Sequence, residues 1–211
     1  GLIRKLANAG YEVSVVCFGN GDEAFVTPDG RAAAVERFGR EAIEAHRILG
    51  VANFECYDVP DFGVSKNRDD YRQCIRAIRR FRPKVVFGHY WKEYFQHHDM
   101  ASQSRDAWYQ AAWECSGDLG APWKPAHYYH FEVLQMLPEP THLVDVSDTF
   151  EAKREALRAF GSTQEHLGGL ARQLETRAAY YGAQIGVRYA EAFRQSFFLP
   201  EAVHNPEEII R

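Results

Sequence analysis

One short span concentrates the side chains that could do chemistry. Between Gly88 and Asp99 lie His89, His97 and His98, three of the chain's nine histidines, with Glu93 and Asp99 beside them. Neutral imidazole and carboxylate suit a borderline divalent metal such as zinc. The span follows Lys84 to His89, which reads as a strand, and ligands of open parallel sheets lie beyond the carboxyl ends of strands. The competing reading is a polar helix start, with Asp99 at the positive end of the helix dipole. The position after a strand favours the functional reading. The same rule nominates the loop after Phe18, Gly19 to Glu23. Its glycines permit close backbone approach, but their spacing fits neither a phosphate loop nor a dinucleotide fingerprint.

These loops need a frame to hold them. Leu2, Ile3, Leu6 and Ala7 share a helical face, and Gly10 suits a helix end. Tyr11 to Phe18 is a β-branched run expected to be a buried strand. A helix leading into a buried strand is half of a strand–helix–strand crossover, so a strand is expected before Gly1. Helices are expected over 33–49, 69–81, 102–115, 149–160, 164–181 and 187–196. Strands are expected over 53–59, 126–133 and 142–146. Ser147 is the expected N-cap of the 149–160 helix. The alternation predicts one α/β domain spanning 1–211, Rossmann-like, with a mainly parallel sheet flanked by helices.

Composition excludes some classes. The net charge of −4 argues against general nucleic-acid binding. The one dense basic run, Arg76 to Arg82, is expected to be a solvated helix face. Cys17, Cys56, Cys74 and Cys115 form no paired motif, so neither a cysteine zinc site nor a disulfide framework is expected. Cys17 and Cys56 lie in apolar runs and are expected to be buried thiols. No stretch is apolar enough to span a membrane. No signal peptide is visible, which points to the cytoplasm, although the first residue is not Met.

Several strings resemble the PIG-L/LmbE-like family of metal-dependent N-deacetylases. Thr141 to Arg158 is similar to a family strand-then-helix segment of the type VDVSDVFEKKMEAL. Gly186 to Phe193 (GVRYAEAF) resembles the family's ending, Gly1 to Asp22 its first helix and second strand, and Arg40 to Gly50 its REEEA-type helix. The order and spacing agree over nearly the whole chain.

The resemblance implies a hydrolase with one divalent metal, most often zinc. It would remove an N-acyl group, usually acetyl, from a sugar-like amine. The family carries two metal ligands and its general base on an AHPDDE-like loop after a first strand, a segment expected before Gly1. Aligning Glu93 to Ser102 with the family's DYMSDHRATS string places His98 at the later metal position and His97 where the family has Asp. A slipped alignment would put His97 or Asp99 on the metal. The implied roles are therefore His98 and Asp99 for metal, His97 for catalysis, and Arg40 and Tyr94 for substrate. Arg40 reads equally as a surface arginine, and His97 as an exposed polar residue. Tyr128 and Tyr129 border the cleft or pack in the core. His46, His127, His130, His142, His166 and His204 read as structural. The aromatic stretch Trp108 to Trp123 reads as a cleft cap or a homo-oligomer contact. The alternative to an enzyme is a degenerate family member that binds or assembles without catalysis.

Overall fold

The computed structural model describes residues 1–161 and 169–198. Ser162 to Gln164, His166, His204 and the start of the helix expected from Gln164 lie outside the described residues. The elements are α1 (Leu2–Asn8), β1 (Ser14–Gly19), α2 (Arg31–Leu49), β2 (Asn53–Val59), α3 (Arg68–Phe81), β3 (Val85–His89) and α4 (Phe95–Gln110). They continue as β4 (His127–Phe131), β5 (His142–Asp145), α5 (Phe150–Ala159), α6 (Leu170–Gln184) and β6 (Ala190–Ser196).

Local chemistry sets the helix ends. The Asn67 side chain accepts hydrogen bonds from the amides of Asp69 and Asp70, capping α3. Gly50, at φ 76°, closes α2 in the left-handed region that glycine enters without a Cβ penalty. Thr149 rather than Ser147 occupies the cap position of α5. Ser147 instead hydrogen-bonds the Asp145 carboxylate, its amide at 2.9 Å and its hydroxyl at 2.7 Å.

Helices flank a mostly parallel arrangement of strands. β1 pairs with β2 in parallel, with Cys17 opposite Cys56. A second sheet has the order β3-β4-β6-β5, in which β3 and β4 are parallel and β6 runs against its two neighbours. Helices α3 and α4 cover one face through a core of Phe18, Cys74, Ile75, Ile78, Ala107 and Leu119. Half-buried Val16 of β1 and Val86 of β3 pack on that same core. On the opposite face α2 lies over β2, where the His46 and Phe54 rings stack at 4.0 Å.

Three expectations are corrected here. The 187–196 segment is a strand, not a helix. Ala, Glu, Arg and Gln favour helix locally, but β6 is hydrogen-bonded on both sides and tertiary pairing overrides so short a preference. The β1 run is less buried than its apolar composition suggests, with only Phe18 buried among its residues. Of the basic run, Arg79 is buried rather than solvated, because carbonyl oxygens surround its guanidinium. In the aromatic stretch the indoles of Trp108 and Trp123 are half-buried. Trp108 and Trp123 pack against the core and donate to Pro125 O and Pro83 O, while Trp113 stays exposed.

Gly88 shows how tightly β3, β4 and α4 fit. A Cβ placed there would meet Ser104 Oγ at 2.7 Å and also the phenol of buried Tyr128. Ser104 and Tyr128 are themselves hydrogen-bonded at 2.7 Å. Gly88→Ala is expected to cost about 1–3 kcal/mol through overpacking, measured as a lower urea midpoint. An unchanged midpoint would mean that the Tyr128 ring yields freely.

Candidate active site

The site residues sit where β3 hands over to α4. The helix begins at Phe95, earlier than its periodicity suggests, so His97, His98 and Asp99 occupy its first turns rather than a loop. Phe95 enters at φ 33°, in the left-handed region that costs a non-glycine residue energy and clusters at functional sites.

His97 and His98 point to different surroundings. His97 is mostly enclosed, its ring stacked on His89 at 4.8 Å and its Nδ1 4.0 Å from Glu93 Oε2. His98 is about half exposed, and its Nδ1 lies 3.1 Å from Asp99 Oδ1. The other carboxylate oxygen of Asp99 accepts the Lys66 amide at 3.2 Å. Tyr94 is exposed and stands edge-on to His97 at 6.3 Å. Arg40 is not drawn into this group. It lies on the exposed side of α2, and its guanidinium bonds Glu36 one turn back at 2.5 Å.

Sequence reasoning counted Glu93 among the nearby acids but gave it no task. Its carboxylate is fully enclosed and accepts the amides of Val133, Leu134 and Gln135 at 2.8 to 3.1 Å. Burial alone would raise its pKa, but the three amides and His97 outweigh this and hold it below the usual range. Burial depresses His97, against the opposing pull of Glu93, so the ring is neutral at pH 7. His89 was noted only as part of the loop. Burial, with His97 adding to it and Glu93 opposing, lowers its pKa to about 4. His130, expected to be structural, is fully buried and donates from Nδ1 to His89 O at 2.7 Å. The signal missed in the sequence was spacing across strands. His89 and His130 belong to neighbouring parallel strands 41 residues apart.

The two loops nominated from sequence meet through a third. Buried Asp22, after β1, accepts the Asp61 amide at 2.7 Å and pairs with Arg31 at 2.7 Å. Asp61, after β2, accepts from Gln96 Nε2 at 3.4 Å, and Gln96 Oε1 accepts the Phe62 amide at 3.0 Å. Gln103 of α4 fastens the same region by bonding Asn67 N and Ser65 O. The C-terminal ends of β1, β2 and β3 therefore form one connected rim. Among the described residues, no three of His, Cys, Asp and Glu converge as a complete metal cage. The His98 imidazole with the Asp99 carboxylate has the donor chemistry for part of one.

Helices flanking a mostly parallel sheet, with imidazoles and carboxylates on its strand-end rim, define a Rossmann-like α/β protein. The chain belongs to the PIG-L family, whose model, described as GlcNAc-PI de-N-acetylase, matches residues 1–109. It is 30% identical over 209 residues to the diacetylchitobiose deacetylase of Thermococcus kodakarensis, covering 92% of this chain and 76% of that enzyme. Its fold is similar to the N,N'-diacetylchitobiose deacetylase of Pyrococcus horikoshii, solved with its inhibitor MPG. That match has TM-score 0.81 and 23% identity, over 92% of this chain and 76% of that one. It is equally similar in fold to GalB, the 4-carboxy-2-hydroxymuconate hydratase of Pseudomonas putida. Here the TM-score is 0.81 and the identity 23%, over 97% of this chain and 91% of that one. Among the described residues, no helix is long and apolar enough to cross a membrane.

Proposed function

We propose that this protein is a metal-dependent deacetylase that hydrolyses the N-acetyl group of a sugar or sugar-like amine. The observation that carries the reading is the enclosed His97–Glu93 pair beside His98 and Asp99, on the strand-end rim of a PIG-L family member. The 30% identity to a diacetylchitobiose deacetylase supports an amino-sugar substrate. Fold alone does not choose the reaction, since a hydratase is as similar in fold as a deacetylase.

In this reading His98, with Asp99 beside it, offers a ligand to one divalent metal, zinc in our assignment. A strand preceding α1 supplies the remaining ligands and the general base from its following loop. Two features support that position. β1 pairs only with β2, and β3 only with β4, among the described residues. Val16 and Val86 nevertheless pack on one shared core. When bound, the metal polarises the amide carbonyl and lowers the pKa of a water. The chain's own residues do the rest. His97 stands ready to donate a hydrogen bond to the oxygen on which negative charge develops. Stacking on His89 holds the His97 ring, Glu93 adds a negative charge 4.0 Å from its Nδ1, and exposed Tyr94 lines the approach.

The full-length protein is expected to bind about one zinc per chain and to deacetylate diacetylchitobiose. His98→Ala should lose both metal and activity. Full metal content and full turnover in His98→Ala would overturn the assignment. A folded wild type that binds neither metal nor acetylated sugar would favour a non-catalytic binding subunit instead.

A further inference from the structure

Cys17 and Cys56 stand apart in sequence and together in space. They are directly paired across the parallel β1–β2 ladder, so their side chains leave the same face of that sheet. Both sulfurs lie within hydrogen-bond reach of one acceptor, Gly19 O, at 3.3 Å for Cys17 and 3.5 Å for Cys56. Neither thiol is buried as its apolar run suggests, since Cys17 is half-buried and Cys56 exposed. Neighbouring strands lie about 4.8 Å apart, inside the roughly 4.4–6.8 Å between Cα atoms that a disulfide bridges. The ladder is irregular between Cys17 and Gly19, which gives the backbone room to adjust.

We propose that Cys17 and Cys56 form a paired-thiol modification site that reacts with a disulfide-class oxidant, such as oxidised glutathione, to close an intrachain disulfide across β1 and β2. The two thiols are not equivalent. The neighbouring Cys17 thiol, helped by the Asp58 amide and opposed by burial, holds Cys56 below the ordinary thiol range, while the Cys56 sulfur and burial raise Cys17. Exposed Cys56 is therefore the attacking thiolate. It displaces one glutathione thiolate from the oxidant, leaving a mixed disulfide on Cys56. Cys17 then gives up its proton and displaces the second glutathione. Two protein thiols become one disulfide, and the oxidant is reduced to two thiols. The bond would tie β1 to β2 immediately before the loops that carry Asp22 and Asp61 to the rim. None of this chemistry depends on the deacetylase reading.

The test uses the folded full chain incubated with oxidised glutathione, alkylated and digested for mass spectrometry. A linked Cys17–Cys56 peptide is expected, with a loss of two free thiols per chain. The reduced protein should take up one phenylarsine oxide per chain, because a trivalent arsenical is held by two adjacent thiols. Cys17→Ser and Cys56→Ser should each abolish both readouts. Cys115→Ser, which removes the other exposed thiol, should leave both intact. Glutathione adducts on Cys56 or Cys115 without the linked peptide would overturn the proposal, as would absence of arsenical uptake. The primary readout is on the wild-type chain, so the proposal stands or falls there even if a variant fails to fold.

Discussion

Arg79→Met is expected to destabilise the fold by about 3–5 kcal/mol, read as a large drop in urea midpoint. Arg79 is 4% exposed and has five carbonyl partners. Its Nε donates to Ala111 O at 3.1 Å, and its Nη2 to Trp113 O at 2.7 Å. Its Nη1 lies within 3.0 Å of Cys115 O, Ser116 O and Gly120 O. One guanidinium thus organises the irregular segment between α4 and β4, which has no ladder of its own to satisfy those oxygens. Hydrogen bonds to a charged group contribute about 1.5–3 kcal/mol each, and orphaned buried carbonyls about 1–3. Such terms are not additive within one network, so the expected total lies well below their sum. Arg79→Lys should recover only part of the loss, because an ammonium has three donors at a point where the fork has five. Exposed Arg76, one turn away and bonded to Gln73, is the control. Arg76→Met should change stability by no more than about 0.5 kcal/mol. Equal effects at the two positions would refute the role given to Arg79.

His97→Ala is expected to lower kcat by about 10²–10³-fold, the range typical of losing one oxyanion donor, while metal content stays at the wild-type level. His97 is stacked on His89, with the Glu93 carboxylate 4.0 Å from its Nδ1, so packing orients its ring before substrate arrives. His98, half exposed and paired with Asp99, gives the opposite signature, with metal lost first. Glu93→Gln separates the two contributions of that carboxylate. It keeps the shape but turns an amide toward the donors of Val133, Leu134 and Gln135. Faster hydrogen exchange at those three amides is expected, with an intermediate fall in kcat. If kcat in His97→Ala stays within a few-fold of wild type, the catalytic role of His97 fails, whatever happens to stability.

Much of the architecture was legible in the chain alone. Local rules governed the helices: apolar periodicity placed α2 and α3 and Gly50 terminates α2, whereas the cap of α5 is Thr149 and not Ser147. The strand Val85 to His89 and the imidazole-rich turn after it also followed from pattern, because parallel strands are apolar throughout and their C-terminal ends open on the cleft. The family itself was readable from motif order. Hydrophobic period could not decide β6, whose Ala, Glu and Arg content suits a helix. Only the strands on either side of it make it a strand.

Distance along the chain hid the rest. Composition suggested a solvated face for Arg76 to Arg82, but burial of Arg79 depends on five carbonyls contributed 32 to 41 residues later. The partners of Glu93 lie about 40 residues away, as does the strand neighbour that brings His130 to His89. Cys17 and Cys56 read as unrelated thiols until the β1–β2 register set them side by side. Residue order alone placed a run of imidazoles and carboxylates just after β3. Folding then selected which of them are enclosed, and so which imidazole stacks beside a buried carboxylate and which faces solvent paired with Asp99. Burial and long-range pairing set desolvation and hydrogen bonding, and neither is a property of a residue and its immediate neighbours.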